Sequence, residues 1–296
     1  MVKFKGYKKD IIYETVLSVF VLLFALICLI PVWHTIMASF SDPTVVREMK
    51  GLVLYPKNFT LRGYEIIFQN EDIFRGIANS LYYLVTGVIL NMVLTTFGAY
   101  ALSRKGFFWR SFLMKFVVVT MFFSGGMLPL YMVVNDLGMK NTVFAIIVPV
   151  AISQWNMIIL KTAFEGVPES IFESARMDGA SNFKILVKIA VPLIVPTFAI
   201  ITLYYVIGHW NSWYTAMIYL SDRSKYPLQL IMREILILND TSKINFGSII
   251  QTDDMINVNT LVKYTTTVVA MLPLFILLPF VQRFFAKGVF IGSIKS

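Results

Sequence analysis

Two clusters of polar and aromatic side chains interrupt long apolar runs, and they are the residues best suited to bind a solute. The first cluster is Gln154-Trp155-Asn156, and the second is His209-Trp210-Asn211 followed by Trp213. Aromatic faces can pack on the C–H surface of a sugar ring, and amide and imidazole groups can bond hydroxyls. A second interpretation stays open, because tryptophans are common at membrane interfaces and amide side chains can hydrogen-bond a neighbouring helix. We therefore treat both clusters as candidate contacts along a substrate pathway.

The sequence lacks the residue patterns of several catalytic and energy-coupling sites. It contains no Gly-x-x-x-x-Gly-Lys-Ser/Thr phosphate loop, so we do not expect this chain to bind or hydrolyse ATP. His34 and His209 have no cysteine or carboxylate at ligand spacing, and Cys28 is alone, so neither a metal site nor a disulfide framework is expected. The apolar runs hold almost no carboxylate, although proton-coupled carriers depend on such groups. Energy for transport would therefore come from a partner.

The composition is that of a chain whose solvent is lipid. Of its 296 residues, 57% are hydrophobic and 15% charged, with a mean hydropathy of +0.71, whereas soluble domains carry about 25% charged residues. Six runs are long enough to cross about 30 Å of hydrocarbon at about 1.5 Å per residue. They lie near Thr15–Ala38, Asn79–Ser103, Leu113–Val133, Val143–Ala163, Ala190–Trp213 and Thr265–Phe285. The predicted fold class is an all-α membrane protein with six transmembrane helices.

Prolines and glycines mark places where these predicted spans can bend. Pro149 lies in the fourth run, and Pro192 and Pro196 lie in the fifth. Such prolines weaken the backbone hydrogen-bond ladder. The Ser124-Gly125-Gly126 step in the third run allows close helix packing or a break.

The basic residues predict the orientation of the spans. The first run, with about 24 residues, is longer than a signal-peptide core, and Ile36 and Phe40 do not fit a cleavage site, so we expect a retained helix. With the N-terminus inside, 15 of the 26 basic residues and 6 of the 17 acidic residues face the cytoplasm, and the outside segments balance to zero. Short inside loops rich in Lys and Arg satisfy the positive-inside rule. We expect cytoplasmic tails at 1–14 and 286–296 around a six-helix transmembrane domain at 15–285.

The distribution of basic residues also bears on possible partners. They flank the membrane runs and form no interleaved basic and aromatic surface, so no nucleic-acid partner is expected. Two long outside connections, about Ser41 to Gly76 and Tyr214 to Tyr264, are too apolar to be disordered tails. They are candidates for an outward-facing docking surface, or they cap the helix bundle.

The connection between the fourth and fifth runs predicts a short helix at the cytoplasmic face, at about 168–179. Pro168 suits the first turn of a helix, and Gly179 suits the position just past its end. One stripe of this helix is apolar and the remaining positions are charged. The apolar residues are Ile171, Phe172 and Ala175, and the charged ones are Glu169, Glu173 and Arg176. The helix is too short to span a membrane and too polar to be embedded in one.

This connection resembles the "EAA…G…I-x-L-P" loop of ABC importer permeases. The matching residues are Glu173-Ser174-Ala175, Gly179 and Ile189-Ala190-Val191-Pro192, with Ser174 in place of the usual Ala and Val191 in place of Leu. In that family the short helix is the coupling helix, which sits in a groove of the ATPase subunit. The resemblance implies that the ATPase contacts are Phe172, Glu173, Ala175, Asp178 and Gly179. The alternative is an ordinary amphipathic helix at the interface.

Segments elsewhere are similar to the maltose-type, binding-protein-dependent branch of the family. They are Asn79-Ser80, Ala99-Tyr100-Ala101-Leu102-Ser103-Arg104 and Phe285-Ala286-Lys287-Gly288-Val289. Two more, Phe123-Ser124-Gly125-Gly126 and Gly208-His209-Trp210-Asn211-Ser212-Trp213, resemble the subgroup for complex oligosaccharides.

The resemblance implies a bacterial inner-membrane importer with several partners. They are a second permease, two ATPase subunits that bind ATP and Mg, and an extracytoplasmic binding protein that delivers an oligosaccharide. The residues leave open an ABC permease for another solute, such as a peptide, phosphate or amino acid. A self-sufficient channel or secondary carrier is a further alternative. The charge balance of the outside segments gives no support for an anionic sugar.

Overall fold

The computed structural model describes residues 7–49, 51–236, 259–276 and 279. These residues form helices and connecting turns, and no strand occurs among them. In chain order the helices are α1 (Tyr7–Ser39), α2 (Pro43–Glu48), α3 (Arg62–Phe68), α4 (Glu71–Ser103), α5 (Arg110–Phe122), α6 (Met127–Asp136), α7 (Val143–Ile147), α8 (Gln154–Glu165), α9 (Glu169–Met177), α10 (Asn182–Leu193, with a π-turn at Leu186–Ala190), α11 (Val195–Trp210), α12 (Trp213–Tyr219), α13 (Leu228–Leu236) and α14 (Asn259–Ile276). A 3-10 turn at Arg223–Lys225 precedes α13.

Three described helices are individually long and apolar enough to cross a membrane. They are the Tyr13–Ser39 part of α1, all of α4 and all of α14. They correspond to the first, second and sixth predicted spans, although α4 begins before the predicted Asn79. The remainder of the sixth span, apart from residue 279, lies outside the described residues.

The third and fifth predicted spans are bent pairs of helices rather than straight rods. α5 and α6 meet at 116°, at a break that ends with Gly126 in the left-handed region (φ 84°). α10 and α11 meet at 90° beside Ile194. Pro196 has no N–H with which to continue the ladder there, and α11 ends at Trp210 instead of reaching Trp213.

The prediction of one continuous helix for the fourth span is wrong. The segment consists of α7 and α8, separated by residues 148–153. Pro149 cannot donate a backbone hydrogen bond to the preceding turn, so the helix stops there. With the two bent pairs counted as spans, the described residues give five, and the count of six stays a prediction.

The chain divides into two compact units. The first contains the described residues up to Asn70 and those from Ile235 to Met271. In it the end of α1 packs on the connection that follows: the Ser39 and Tyr64 hydroxyls lie 2.8 Å apart, and His34 Nδ1 accepts a bond from the Val53 N–H (2.9 Å). The His34 side chain therefore fixes the backbone of this connection at Val53.

The second unit runs from Glu71 to Glu234 and includes the residues from Leu272. Its centre is α4, against which α8 and α11 pack. Buried side chains from these three helices, α9 and α10 form one continuous core. They include Leu160, Phe164, Phe172, Ile185 and Ile201, each 0% exposed. Both candidate sites lie on this core.

Candidate functional site

The short helix predicted between Pro168 and Gly179 is present as α9, and local chemistry fixes both ends. Pro168 is its N-cap and Asp178 its C-cap. Gly179 follows with φ at +75°, a conformation that glycine adopts without a steric penalty. The Gly179 N–H donates to the Arg176 carbonyl (2.9 Å) and the Ala180 N–H to the Ala175 carbonyl (3.0 Å), which is a Schellman ending.

One side of α9 is buried and the other is exposed. Phe172 is 0% and Ala175 7% exposed, and both belong to the core of the second unit. Ile171, predicted to share this apolar stripe, is 37% exposed. The buried face of α9 is narrow and includes only Phe172 and Ala175, which lie three positions apart. Glu173 is exposed, and Met177 is 88% exposed. The helix therefore presents a free outer surface while its inner face is fixed to α4.

Arg104, directly after α4, joins that helix to α9. Its side chain is 12% exposed, and its Nη2 donates to the Phe164 carbonyl (3.1 Å). Nη1 lies 3.4 Å from a Glu169 oxygen, and the guanidinium lies 4.0 Å from the centroid of the Phe172 ring. A cation over an aromatic face and next to a carboxylate is an attractive arrangement. Arg104 therefore connects the end of α4 with both α8 and α9.

The break between α7 and α8 is stabilised by side chains from neighbouring helices. Asn91 Nδ2 of α4 donates to the Val150 carbonyl (3.1 Å). The Ser153 N–H donates to the Tyr205 hydroxyl of α11 (3.0 Å), which lies 2.7 Å from the Thr95 hydroxyl. Non-helical backbone at membrane depth needs such partners. The break places the start of α8 beside an open cavity.

This cavity, of about 560 Å³, is lined by residues of α4, α7, α8, α11 and α12 and of the connections that follow α7 and α11. The lining residues are Asn91, Ile146, Val150, Ser153, Trp155, Asn156, Tyr204, Tyr205, Gly208, His209, Asn211, Ser212, Tyr214 and Thr215. The predicted candidates Trp155, Asn156, His209 and Asn211 are thus brought together, and Trp155 is 60% exposed. No Lys, Arg, Asp or Glu of the described residues lines this cavity.

Three predicted pathway residues do not line the cavity. Gln154 is absent from its wall, and Trp210 is buried at 1% exposure. Trp213 packs against the core around Tyr83, with the Arg233 guanidinium 5.1 Å from its ring. For Trp213 the reason is that α11 ends at Trp210 and α12 begins at Trp213, so the helical spacing assumed from the sequence does not continue.

Several polar atoms at the cavity are buried without a protein hydrogen-bond partner. They are Asn91 Oδ1, both ring nitrogens of His209, and Ser212 Oγ. Asn91 is 1% and His209 4% exposed, and buried polar groups are normally paired. Gly87 makes room for the imidazole, since a Cβ there would lie 2.4 Å from His209 Cε1. Because these atoms have almost no exposed surface, a ligand could bond them only after neighbouring side chains moved aside.

Sequence reasoning missed Asn91, Tyr205 and Arg104 as site residues. Asn91 carried a weak signal, since it is an isolated amide in the apolar run of α4. Tyr205 and Arg104 carried none that separates them from other aromatic or loop residues. Their roles depend on partners 52 and 60 or more positions away in the chain.

At the other end of α4, the connection before α13 is fastened by a polar network. Arg223 bonds Asp72 (3.2 Å) and Glu234 (2.8 Å). Burial opposes the charge of Arg223, but the bonds to Glu234 and Asp72 outweigh it and raise its pKa. The Asn79 amide donates to the Ser224 carbonyl (2.8 Å). These bonds therefore fix the conformation of this part of the predicted outer surface.

Comparison with known proteins gives consistent matches. The family model described as "Binding-protein-dependent transport system inner membrane component" matches residues 93–291. The Polygalacturonan/rhamnogalacturonan transport system permease protein YtcP of Bacillus subtilis (strain 168) is 38% identical, over 97% of this chain and 100% of its own length. Protein LplC of the same organism is 35% identical, over 91% of this chain and 90% of its own length.

A solved structure is similar over nearly the whole chain. It is the crystal structure of a bacterial ABC transporter involved in the import of the acidic polysaccharide alginate, with a TM-score of 0.79, 28% identity, and coverage of 94% of this chain and 98% of that chain. Since the family model matches more than half of the chain and YtcP aligns over nearly all of it, the chain belongs to the inner membrane components of binding-protein-dependent transport systems, the non-catalytic permease subunits of ABC importers.

Proposed function

We propose that the chain forms half of the translocation pathway for an oligosaccharide, delivered by an extracytoplasmic binding protein to a complex with a second permease. Two ATPase subunits bind ATP and Mg, and this chain binds neither. Both termini face the cytoplasm, as the basic residues of the short loops indicate. α9 is the coupling helix, and its exposed residues Glu173, Asp178 and Gly179 form the contact region. Phe172 and Ala175, expected from the resemblance to share this region, are buried in the core and instead hold the helix in place.

The observation that carries this proposal is the two-sided environment of α9. Phe172 and Ala175 are buried in the core, whereas Glu173 and Met177 point away from it. A nine-residue helix with a fixed inner face and an exposed outer face suits a rigid contact that receives a push from a partner. Arg104 supplies the link to α4.

The cavity supports a sugar as the solute. Trp155, Tyr204 and Tyr214 offer aromatic surface, each at least 47% exposed. The Asn211 amide is exposed at the cavity wall and offers hydrogen bonds, and Asn91, His209 and Ser212 add buried polar atoms without a protein partner. Aromatic faces combined with a few neutral polar groups are typical of ligand sites.

The relatives favour an acidic sugar. YtcP is named for polygalacturonan and rhamnogalacturonan, and the similar structure belongs to an alginate importer. Polymers of this kind carry a carboxylate on many rings. Among the described residues no Lys or Arg lines the cavity, so none of them offers a cationic side chain that would bind such a carboxylate tightly. A pathway must bind its solute weakly enough to release it.

The coupling role is tested with Glu173→Lys, which reverses a charge on the outer face of α9. We expect the variant to enter the membrane normally but to lose oligosaccharide uptake. Asp136→Lys is the matched control, because Asp136 is also exposed but lies at the end of α6, outside α9 and outside both long connections predicted to face outward. A mild-detergent pull-down of each tagged chain measures co-purifying ATPase, second permease and binding protein. Normal uptake by the Glu173→Lys importer would refute the proposal.

The pathway role is tested with Trp155→Ala, measured as oligosaccharide transport by the reconstituted importer. We expect transport to fall at least tenfold with complex assembly unchanged, because a stacking surface inside the cavity is lost. Trp109→Ala is the control, since that indole is similarly exposed (56% against 60%) but does not line the cavity. Equal losses in both variants would remove the argument for a sugar-binding cavity.

A further inference from the structure

A second concavity lies between α5 and α8, away from the sugar cavity. It is a groove of about 740 Å³, lined by Arg110, Ser111, Met114, Lys115, Val118, Val119 and Lys161. Arg110 is the first residue of α5, and Lys161 lies in the last turn and a half of α8. By the orientation proposed above, these two ends lie at the cytoplasmic face.

The basic side chains of the groove are held in place and leave an excess of positive charge. Glu165 pairs with both Arg110 and Lys161, the second at 2.8 Å. The Lys161 side chain is only 13% exposed. Lys115 is exposed and has no acidic partner among the described residues. Three cations against one carboxylate leave a net charge of about +2 at this end.

The groove changes from basic to apolar along α5. Met114, Val118 and Val119 lie on the turns that follow Arg110, and Val118 and Val119 are 38% and 51% exposed. From Arg110 to Val119 the helix rises roughly 13 Å at 1.5 Å per residue. A charged end at headgroup depth and an apolar wall toward the membrane interior reproduce the amphipathy of a phospholipid. A free phosphate ion would use only the charged end.

We propose that this groove binds one anionic phospholipid of the cytoplasmic leaflet. The phosphate lies at the end formed by Arg110, Lys115 and Lys161, and the first acyl carbons lie along Val118 and Val119. Basic pockets between transmembrane helices on this side of a membrane suit anionic headgroups. The site is separate from the sugar cavity and from the outer face of α9.

The test uses the complete importer in nanodiscs of phosphatidylcholine with a minor fraction of phosphatidylglycerol, and counts retained lipids by native mass spectrometry. Lys115→Gln removes a cation that stabilises no described ion pair. We expect about fivefold weaker phosphatidylglycerol retention, as for one basic residue near an anionic surface. Lys105→Gln is the matched control, since Lys105 is also exposed at this face but does not line the groove. It should retain lipid as the wild type does.

Two further measurements decide between possible occupants. Glycerol phosphate, which has the anion without acyl chains, should fail to displace the retained lipid at equal concentration. Val118→Asn should also weaken retention, because the acyl wall becomes polar. Displacement by glycerol phosphate would instead identify a simple anion site and overturn the proposal. Unchanged lipid retention in Lys115→Gln with loss of the second permease would also overturn it, and would identify the groove as a subunit interface.

Discussion

Replacing Arg104 with methionine should uncouple ATP hydrolysis from transport. The change keeps most of the side-chain volume but removes the charge that joins α4 to α9. The bond from Nη2 to the Phe164 carbonyl is charge-assisted and part-buried, and such bonds are worth about 1.5–3 kcal/mol. The contact with the Phe172 ring adds about 1 kcal/mol. Glu169 is 37% exposed, so its pair with Arg104 adds less than about 1 kcal/mol.

The bond to Phe164 attaches Arg104 to α8, so only the contacts with Phe172 and Glu169 join α4 to α9. Because these two contacts share one guanidinium, their energies do not simply add, and we expect about 1.5 kcal/mol from them together. At 1.4 kcal/mol per factor of ten, this is a shift of about tenfold toward a detached α9. The assay is oligosaccharide uptake per ATP hydrolysed by the reconstituted importer. We expect this ratio to fall about tenfold.

Two variants bracket this result. Arg104→Lys keeps the charge but not the planar fork, so it should restore part of the coupling. Arg75→Met removes an arginine from the other end of α4. The Arg75 side chain is 46% exposed and lies more than 3.5 Å from its acidic partners Glu71 and Asp72. The uptake-to-ATP ratio of this variant should therefore stay within about twofold of wild type. An Arg104→Met importer that assembles normally and keeps its uptake-to-ATP ratio within twofold of wild type would refute the reasoning.

Two further predictions concern packing and pH. Gly87→Ala places a Cβ 2.4 Å from His209 Cε1 and should lower the free energy of unfolding by about 1–3 kcal/mol. Gly208→Ala is the control, because a Cβ there meets open space. Thermal unfolding of the purified importer compares the two variants, and equal melting temperatures would contradict this packing argument. The hydrogen bond from the Thr44 hydroxyl, together with the Thr44 N–H, lowers the pKa of Asp42, the N-cap of α2, below its ordinary 3.8. Because the pKa of Asp42 is lower in the folded chain than in the unfolded chain, its ionised carboxylate stabilises the fold above pH 3.8. This stabilisation is lost as the pH falls through the pKa of the folded state. The first amides of α2 should therefore lose about fivefold protection from hydrogen exchange at low pH, and Asp42→Ala should cause the same loss at neutral pH. Unchanged protection in Asp42→Ala would show that Asp42 does not cap the helix.

The membrane class and α9 could both be predicted because their signals are local. Pro168 and Gly179 act through their own backbone, and both ends of the helix lie where these residues place them. The Ser124-Gly125-Gly126 step likewise predicted a possible break, and Gly126 adopts a positive φ there.

The cavity could be predicted only in part. Trp155 and Asn156 were identified by residue type, and both line the cavity. Trp213 does not line it, because α11, which was expected to continue past Trp210, ends there. The bend between α10 and α11 depends on packing against other helices as well as on proline. The length and hydropathy of an apolar run contain no information about such packing.

The sequence by itself determined where apolar runs, charges and helix ends lie, since hydropathy, proline and glycine act within a few residues. Only the tertiary structure decided what those elements form together. Asn91 reaches Val150 across 59 positions, and Arg104 reaches Phe164 across 60. Such contacts depend on how α4 packs against α8 and α9, and a hydrogen bond forms only where packing brings donor and acceptor within about 3 Å.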